Sequence, residues 1–484
     1  MTSFDMLRFA EVAFLLYFFG LHGTHIMLNL LSFLSLSRYM PQRVLDNLPQ
    51  VYAGFEPPIS VLVPAHNEEQ TIVSSVRSLL QLNYSDFEIL VINDGSADRT
   101  LDLLIREFSL IRLPKDLPVN LQTRPVRGLY RSQNHHNLRV IDKQNGGKAD
   151  ALNAGINCAS YALFCAVDAD SILERDSLQR VVHPFVLDPL TVATGGTVRI
   201  ANGCEVRGGF LVKRGLPRNP LALFQIVEYL RAFLFGRMGW SPLNAMLIIS
   251  GAFGLFRREA VIAVGGYSTK TVGEDMELIV RLHRQLRLAG KPYRITFVPD
   301  PICWTQAPEN LKTLRNQRVR WQRGLSESLK THIRLLFHRK GGVVGWVAYP
   351  YMVLFEWLEP LIVLAGYTLF MTGYFTGSIS FPVMLAFLVA AVGLGIMVST
   401  SALLLEELSF HIYPKPKHVI ILLFVALVEN LGYRQLTSVW RFMGLAKWIF
   451  RRKAIWGEMN RTDFTQTGQA HIPRRTREAV SNTG

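Results

Sequence analysis

The chain has 484 residues, of which 49% are hydrophobic and 18% charged, and its net charge is +15. A chain of this length can hold one catalytic domain of ordinary size together with membrane segments, so the composition excludes a simple soluble enzyme. The basic residues lie largely beside apolar segments, which favours anionic lipid head groups over nucleic acid as their partner.

The first apolar segment covers residues 9–36 and ends at Ser37-Arg38. It is long enough for one crossing of a hydrocarbon layer roughly 30 Å thick. A cleaved signal peptide is the alternative, but no basic stretch precedes the run and no small-residue cleavage site follows it. We therefore predict a retained transmembrane anchor at 1–37 and a linker at 38–56.

Residues 57–310 alternate short apolar strands with helical segments. The pattern predicts strands at 59–63, 87–92 and 161–167 and helices at 68–82 and 147–159. Such alternation is typical of an α/β domain with a mainly parallel sheet, whose ligands gather at the carboxyl ends of the strands. The sequence therefore predicts a ligand site at that edge of the sheet.

Two carboxylates, Asp168 and Asp170, follow the last of these strands. Side chains at i and i+2 of an extended segment point to the same side, so both can converge on one hard cation. Asp-Ala-Asp is also common at strand ends and helix caps. After a buried strand, it predicts a Mg²⁺ or Mn²⁺ site for a nucleotide-sugar diphosphate.

The other polar motifs each allow a structural interpretation. Asp94 can cap the helix that starts near Ser96, and Lys148 can be a solvated loop cation behind two glycines. Glu274 and Asp275 precede a helical stretch, where carboxylates stabilise the helix dipole. The four cysteines have no paired metal spacing, which predicts reduced packing residues; they are Cys158, Cys165, Cys204 and Cys303.

Three further apolar segments lie in the predicted membrane region 346–440, at 346–375, 381–403 and 418–440. The third has a short apolar core, so a re-entrant or interfacial element remains an alternative to a full crossing. Basic residues near the segment ends place residues 38–345 in the cytoplasm. The basic tail at 441–484 favours the same side, which conflicts with four full crossings.

Two segments have an amphipathic composition, 221–240 and 311–337. Both are predicted to lie at the membrane surface and to dock the catalytic domain over the spans. In the second, Gln317, Arg320 and Trp321 share one helix face, whereas Arg315, Arg318 and Arg323 are assigned to the interfacial surface. We therefore predict interfacial helices at 311–345.

Six motifs occur in a fixed order along the chain. They are Pro64-Ala65-His66-Asn67-Glu68-Glu69, Asn93-Asp94-Gly95-Ser96, Gly146-Gly147-Lys148-Ala149-Asp150, Asp168-Ala169-Asp170, Gly273-Glu274-Asp275 and Gln317-Arg318-Val319-Arg320-Trp321. Together they resemble a membrane-embedded family 2 glycosyltransferase, the group that includes cellulose, chitin, hyaluronan and poly-N-acetylglucosamine synthases. The resemblance implies a GT-A-like domain.

The resemblance also implies a role for each motif. The donor nucleotide would contact Pro64, His66, Asn67, Glu68, Asp94, Lys148, Asp150 and Asp168. Asp170 would be the more direct metal ligand, with Asp168 beside it. Asp275 would be the catalytic base, with Glu274 next to it, although the family motif often begins with Thr where this chain has Gly273. Gln317, Arg320 and Trp321 would hold the acceptor sugar and the diphosphate.

The implied function is processive, inverting transfer from a UDP-sugar to a growing β-linked polysaccharide. The partners are then the UDP-sugar, the growing polysaccharide and membrane lipids, without nucleic acid. The expected location is a bacterial inner membrane with the catalytic domain in the cytoplasm. One alternative is single-sugar transfer to a polyprenyl phosphate or another lipid. A transport or scaffold component with a degenerate nucleotide-binding domain is another, which the intact carboxylates disfavour.

Overall fold

The computed structural model describes residues 3–46, 56–114, 119–413 and 415–451. Residues 47–55 of the predicted linker (38–56) and most of the basic tail (452–484) lie outside the described residues. The strands are β1 Ile59–Ala65, β2 Phe87–Asp94, β3 Leu110–Leu113, β4 Val126–Ser132, β5 Leu138–Lys143, β6 Leu163–Val167, β7 Ile172–Leu173, β8 Thr191–Ile200, β9 Glu205–Arg207, β10 Phe210–Lys213, β11 Phe253–Arg257 and β12 Arg294–Thr305.

The α-helices alternate with these strands and then continue alone. They are α1 Ser3–Asp46, α2 Ile72–Leu79, α3 Thr100–Glu107, α4 Lys148–Cys158, α5 Ser177–Leu187, α6 Pro220–Leu230, α7 Met238–Trp240, α8 Arg258–Ala263, α9 Glu274–Leu288, α10 Leu311–Thr331, α11 Tyr349–Tyr351, α12 Glu359–Phe375, α13 Phe381–Leu388, α14 Leu394–Ser409, α15 Pro416–Val428 and α16 Arg434–Ile449. Short π-helical segments join several of them, at Arg231–Arg237, Val344–Ala348, Met352–Trp357, Val389–Gly393 and Glu429–Tyr433. Two 3₁₀ turns lie at Ile333–Leu335 and Arg339–Gly341.

Ten of the described strands form one mixed sheet in the order β3-β4-β5-β2-β1-β6-β11-β8-β12-β7, and β9 and β10 form a separate hairpin. The central strands β5, β2, β1 and β6 are parallel. The neighbours β4 and β11 run antiparallel to them. The predicted parallel sheet is thus confirmed at its centre, and the carboxyl ends of β1, β2 and β6 meet at one edge.

The central strands read as continuous apolar runs because both of their sides are covered. Ile89–Ile92 of β2 and the whole of β6 are buried. Helix α4 packs on β1 and β2, and α5 packs on β8 and β12. The predicted helix 68–82 is shorter than expected, since only Ile72–Leu79 is helical and Glu68 belongs to the loop before it.

Helix α1 reaches from the apolar helices into the catalytic domain. It continues past Ser37-Arg38 to Asp46, and the Tyr39 hydroxyl donates to the Asp300 carboxylate. Leu28 is 1% exposed and belongs to the same hydrophobic core as the sheet. The predicted anchor is therefore confirmed as a helix, and it packs directly on the domain.

Three described helices are long and apolar enough to cross a membrane, namely Arg8–Pro41, Phe381–Ser409 and Pro416–Ile449. A fourth candidate is the pair Val344–Trp357 and Glu359–Phe375, which is bent by 48° at the break. The predicted segment 346–375 is therefore two helical pieces rather than one straight helix.

The last candidate is broken at Leu431 and Gly432, whose backbone angles are not helical. Helix α15 follows α14 after a short connection, and the Ser399 hydroxyl in the middle of α14 donates to Glu429 over 2.5 Å. After the break, α16 packs along α12, and Arg441 lies 2.9 Å from Glu359, the first residue of α12. Helix α15 thus runs away from the α/β domain along α14, and α16 returns toward the domain along α12.

Candidate active site

Lys148, the first residue of α4, lies at the centre of the site. Its Nζ is 2.5 Å from Asp168 Oδ1 and 4.0 Å from Glu274 Oε1. It also donates to the Gly251 carbonyl over 3.0 Å. Burial opposes the charged ammonium, but Asp168 and Glu274 more than offset it and raise the pKa of Lys148. Lys148 is therefore a permanent cation between the strand-end carboxylates and α9.

Asp275 is held in place by the main chain. Its Oδ2 accepts from the Gly251 amide over 3.1 Å, and its Oδ1 accepts from the Met276 amide over 2.8 Å. Burial raises the pKa of the adjacent Glu274 to about 7, with Lys148 opposing and Asp275 adding to the shift. The two acidic residues therefore have different environments, which is typical of acid–base sites.

A pocket with about 260 Å³ of open space lies beside these groups. Its lining combines Lys148, Glu274 and Asp275 with apolar side chains that include Ile249 and Tyr267. A Cβ at Gly251 would lie 3.0 Å from Lys148 Nζ and 3.4 Å from Asp275 Oδ2. Glycine at this position therefore leaves room for the cation and the carboxylate to approach the same backbone segment.

Asp168 and Asp170 follow β6 as predicted. Burial, together with the charge of Asp168, raises the pKa of Asp170 to about 7. Asp170 borders a second pocket, of about 380 Å³, between the first turns of α2 and the β9–β10 hairpin. Asp170 and Asp275 thus line different pockets, and the contact between Lys148 and Asp168 lies between them.

No group of three or more His, Cys, Asp or Glu side chains in the described ranges forms a metal-binding set. Two neighbouring carboxylates nevertheless fit a hard divalent ion, because Mg²⁺ is usually held by one or two carboxylates together with substrate phosphates. Burial first, and then the negative charge of Asp168, raise the pKa of Asp170, and a bound cation would favour the charged form of both carboxylates.

Asp94 and Asp150 are joined by a fully buried lysine. Lys143 Nζ lies 2.6 Å from Asp94 Oδ1 and 2.5 Å from Asp150 Oδ1. Asp94 also accepts from the Gly146 amide over 3.0 Å and from the Gly147 amide over 2.7 Å. Asp94 is 3% exposed. The network fixes the glycine loop that leads into Lys148.

The motif at 64–68 comprises the last two residues of β1 and the start of the loop that follows it. His66 and Asn67 are exposed, whereas Glu68 is buried. His66 Nδ1 is 2.9 Å from the Asp94 carbonyl, and the Ala97 amide donates to Asn67 Oδ1 over 2.9 Å. Asn67 has a positive φ of 55°, which asparagine tolerates better than most residues. This loop therefore packs against the end of β2 and the turn that follows it.

The motif from Gln317 to Trp321 lies on α10, a helix as predicted. Trp321 is 44% exposed, and the Gln317 amide oxygen is buried without a hydrogen-bond partner among the described residues. Arg320 is partly buried. Arg318 is not at the surface, contrary to the prediction: it is 2% exposed, because it forms a 2.6 Å ion pair with Glu228 and lies against the Trp321 ring.

Helix α10 touches the start of α9 through two glycines. A Cβ at Gly273 would lie 2.8 Å from the Gly324 Cα, a separation that real Cβ atoms do not show. Threonine, which the family motif often has in place of Gly273, would therefore require the two helices to separate. Glycine at position 273 therefore allows α10 to pack closely against the start of α9, beside Glu274 and Asp275.

Two family models match this chain. Glycosyl transferase family 2 matches residues 60–265, and glycosyl transferase family group 2 matches residues 163–399. This chain belongs to glycosyl transferase family 2. The matched residues contain the loops after β1 and β2, the Asp168/Asp170 pair, Asp275 and α10.

Relatives extend the comparison. The chain is 33% identical over 274 residues to the poly-β-1,6-N-acetyl-D-glucosamine synthase of Staphylococcus aureus, covering 56% of this chain and 55% of the relative. The Staphylococcus epidermidis synthase of the same name is 30% identical over 272 residues, with the same coverage. The chain thus matches about half the length of these relatives.

Among solved structures, the mannosyltransferase PcManGT from Pyrobaculum calidifontis, in complex with GDP-Man and Mn²⁺, aligns with a TM-score of 0.48 and 16% identity. The alignment covers 91% of this chain and 100% of that structure.

Sequence reasoning missed several residues of this glycosyltransferase that the fold brings to the site. Lys143 ends β5, outside every motif, and only the pairing of β5 with β2 places it beside Asp94. Arg318 and Glu228 lie far apart in sequence and meet because α10 packs near α6. The sequence signal for Lys143 was a lysine at the end of an apolar strand. No sequence signal indicated the ion pair between Arg318 and Glu228.

Proposed function

We propose that this protein is a processive, inverting glycosyltransferase that adds sugars from a UDP-sugar to a growing β-linked polysaccharide and helps the polymer cross the membrane. The observation that carries the proposal is the cluster of Lys148, Glu274 and Asp275 around one pocket, with Asp168 2.5 Å from Lys148. The names of the staphylococcal relatives support a polysaccharide product and N-acetylglucosamine as the sugar.

Inverting transfer needs one base that removes the proton of the acceptor hydroxyl while its oxygen attacks the anomeric carbon opposite the leaving UDP. We assign this role to Asp275, because two backbone amides orient its carboxylate at the pocket wall. Burial raises the pKa of the neighbouring Glu274 to about 7, so this carboxyl carries less negative charge beside Asp275 at neutral pH. Lys148 is placed to stabilise negative charge on the diphosphate.

Asp170 and Asp168 would hold Mg²⁺ or Mn²⁺. When bound, the ion neutralises negative charge on the leaving diphosphate. The nucleotide would occupy the loops after β1 and β2, where His66 meets the Asp94 carbonyl, with Pro64, Asn67 and Glu68 in the same segment. Asp94 and Asp150 would support this loop through Lys143, since their carboxylates are engaged within the protein.

The acceptor end of the polysaccharide would lie against α10. The exposed Trp321 ring offers a stacking surface for the terminal sugar, and Gln317 presents a buried amide oxygen. Arg320 would contact the diphosphate. The apolar helices support a membrane location, which we propose to be a bacterial inner membrane with the catalytic domain in the cytoplasm and lipids around the spans.

The first test replaces the proposed base without changing its shape. Asp275→Asn should lower sugar transfer at least about 1000-fold, a value at the middle of what general base catalysis contributes. UDP binding, measured by calorimetry, should remain within twofold of wild type. Loss of UDP binding together with transfer would contradict the base assignment.

The same assay identifies substrate and product. Wild-type protein is given UDP-glucose, UDP-N-acetylglucosamine, UDP-glucuronate or UDP-galactose, and UDP release and product length are measured. Long products from one donor support processive synthesis. A product limited to one sugar on a lipid would instead identify single-sugar transfer.

The second test concerns the metal. Chelation of divalent ions should abolish transfer, and added Mn²⁺ or Mg²⁺ should restore it, because the diphosphate charge is otherwise unbalanced. Asp170→Ala should not be restored by either ion at concentrations that saturate the wild-type protein. Full activity of the wild-type protein in the chelator would refute the metal role of Asp168 and Asp170.

A further inference from the structure

Residues 333–347 connect α10 to the apolar helices that follow it. They include the two 3₁₀ turns, Ile333–Leu335 and Arg339–Gly341. The Phe337 amide donates to the Gly345 carbonyl over 3.0 Å, which holds the two ends of this loop together. Loop 333–347 therefore lies where the catalytic domain meets the proposed membrane region.

The apolar side chains of loop 333–347 divide between two faces. Leu335 and Val344 are buried in the same hydrophobic core as the central sheet. The side chains on the other face are 38% to 54% exposed; they are Ile333, Phe337, Val343, Trp346 and Val347. The Phe337 and Trp346 rings lie 5.3 Å apart, so this face includes a continuous aromatic surface. An exposed apolar patch of this kind marks contact with a partner or with a membrane.

The charges around this patch have one sign. The sequence from Ser328 to Phe355 contains no Asp or Glu, whereas its basic residues include Arg334, Arg339 and Lys340. These three side chains are exposed, and no ion pair joins them to a carboxylate in the described part of the chain. A negatively charged partner would therefore complement the patch.

The surroundings of the patch favour a lipid over an acidic protein segment. Exposed apolar side chains continue along the next helical piece, where Leu354 is 42% exposed. That piece, Val344–Trp357, is the first half of the bent candidate span. Tryptophan is enriched at the level of the lipid head groups, and basic residues beside a span attract anionic lipids. Loop 333–347 combines both features at the start of a candidate span.

We propose that loop 333–347 binds an anionic phospholipid, whose phosphate pairs with Arg334, Arg339 and Lys340 while Phe337 and Trp346 contact the upper acyl chains. The proposal rests on the membrane location given under the proposed function, but it does not depend on sugar transfer.

The loop also packs on the helix that begins with Glu274 and Asp275. Lys340 Nζ donates to the carbonyl of Leu288, the last residue of α9, over 3.5 Å. Just before the loop, His332 Nε2 lies 2.9 Å from Glu277 Oε1 of the same helix. A lipid bound to loop 333–347 would therefore hold the C-terminal end of α9 at the membrane surface.

The test measures which lipid lies beside Trp346. Full-length protein is placed in phosphatidylcholine nanodiscs that contain a minor fraction of dibrominated phosphatidylglycerol or of dibrominated phosphatidylcholine. Bromine quenches tryptophan fluorescence at short range, and the difference from Trp346→Phe gives the quenching at Trp346. Each Lys or Arg near an anionic lipid contributes about a fivefold factor. The relative binding constant should therefore be at least about tenfold higher for phosphatidylglycerol.

Charge removal should abolish this preference. In Arg334→Gln/Arg339→Gln/Lys340→Gln, the ratio of the two binding constants should fall to within about twofold of one. The matched control removes three exposed arginines of α3, β3 and β4, as Arg106→Gln/Arg112→Gln/Arg131→Gln, and should keep the preference. In 1 M NaCl the wild-type preference should also fall to within about twofold of one, because the Debye length is then about 3 Å.

Several outcomes would overturn the proposal. Equal quenching of the wild-type protein by both brominated lipids would mean a non-selective lipid contact. Quenching by neither lipid would mean that another partner, such as an acidic protein segment, covers Trp346. A preference that survives the triple substitution would reject the site, as would one that survives 1 M NaCl if the triple variant does not fold. No step uses a UDP-sugar, so a wild-type protein that transfers no sugar would refute the proposed function separately.

Discussion

His283 shows how one buried side chain can set acid sensitivity in the catalytic domain. It lies in α9 with Nδ1 2.6 Å from the Tyr293 hydroxyl and Nε2 2.9 Å from the Met246 carbonyl. A carbonyl only accepts, so Nε2 donates and Nδ1 accepts from the tyrosine. This arrangement satisfies a neutral ring, and burial lowers the pKa of His283 from 6.5 to about 3.

The unfolded chain takes up a proton at this residue below about pH 6.5, whereas the folded protein does so only near pH 3. The free energy of unfolding should therefore fall as the pH drops through this window, by about 2 kcal/mol between pH 6.5 and 5 at 1.36 kcal/mol per unit. His283→Gln keeps a donor and an acceptor but does not titrate. Thermal unfolding between pH 7 and 5 should show a shallower pH dependence for this variant, and equal slopes would reject the explanation.

The residues of the site also show what a sequence can and cannot predict. Asp168 and Lys148 were predicted from short motifs because strand alternation and a glycine turn are local properties. The contact of Asp94 with Lys143 depends on the pairing of β2 with β5, which no local pattern specifies. The burial of Arg318 was missed because helical periodicity gives the face of a residue but not the element that covers it.

At the scale of elements, the contact between α9 and α10 joins the proposed base to the acceptor helix. A Cβ at Gly324 would lie 2.8 Å from the Gly273 Cα and 3.0 Å from the Gly273 nitrogen. Both neighbours are backbone atoms, so a methyl group can be accommodated only by moving one helix.

Gly324→Ala should therefore destabilise the protein by about 1–3 kcal/mol, as overpacking usually does. It should also reduce transfer at least about tenfold, because Asp275 moves relative to Trp321, while UDP affinity stays near wild type. Gly23→Ala is the control, since a Cβ there meets nothing within 4 Å. The transfer rate and the thermal unfolding of the two variants are then compared. A fully active Gly324→Ala would mean that the contact between α9 and α10 does not position the base.

The elements also differ in how far sequence could predict them. The alternating strands and the apolar helices follow from hydrophobic periodicity. The strand bounds were predicted within a few residues, whereas α1 extends from the predicted 9–36 to Ser3–Asp46 and the last segment from 418–440 to Pro416–Ile449. The sequence did not predict the break at Leu431 and Gly432. Because Glu429, Asn430 and Arg434 interrupt the apolar run, it left open whether the segment crosses the membrane or is re-entrant or interfacial. Its position depends on tertiary partners such as Ser399, which hold Glu429 inside the helices.

At the scale of the whole molecule, the course of 416–449 determines on which side the chain ends. Helix α15 runs back along α14, and α16 then runs along α12 toward its first residues. We expect this segment to enter and leave on the side of the catalytic domain. Such a course would remove the conflict between the basic tail and four full crossings.

The expectation can be tested by labelling membrane vesicles with an impermeant maleimide. The three substitutions are Arg131→Cys in the catalytic domain, Gly377→Cys between α12 and α13, and Arg451→Cys after α16, in a Cys204→Ala background because the other cysteines are buried. Thiols at 131 and 451 should react from the same side, and the thiol at 377 from the opposite side. Labelling of 377 and 451 from a common side would mean that 416–449 crosses.

The seating of α1 has a consequence for how this enzyme can be studied. Leu28 fills a position in the core beneath the sheet, and Gly239 packs against the Leu28 carbonyl. A fragment that begins after the anchor would expose the hydrophobic surface that α1 covers on the α/β domain. It would also lose the hydrogen bond from Tyr39 to Asp300. Detergent-solubilised full-length protein is consequently the sounder starting material than a trimmed soluble piece.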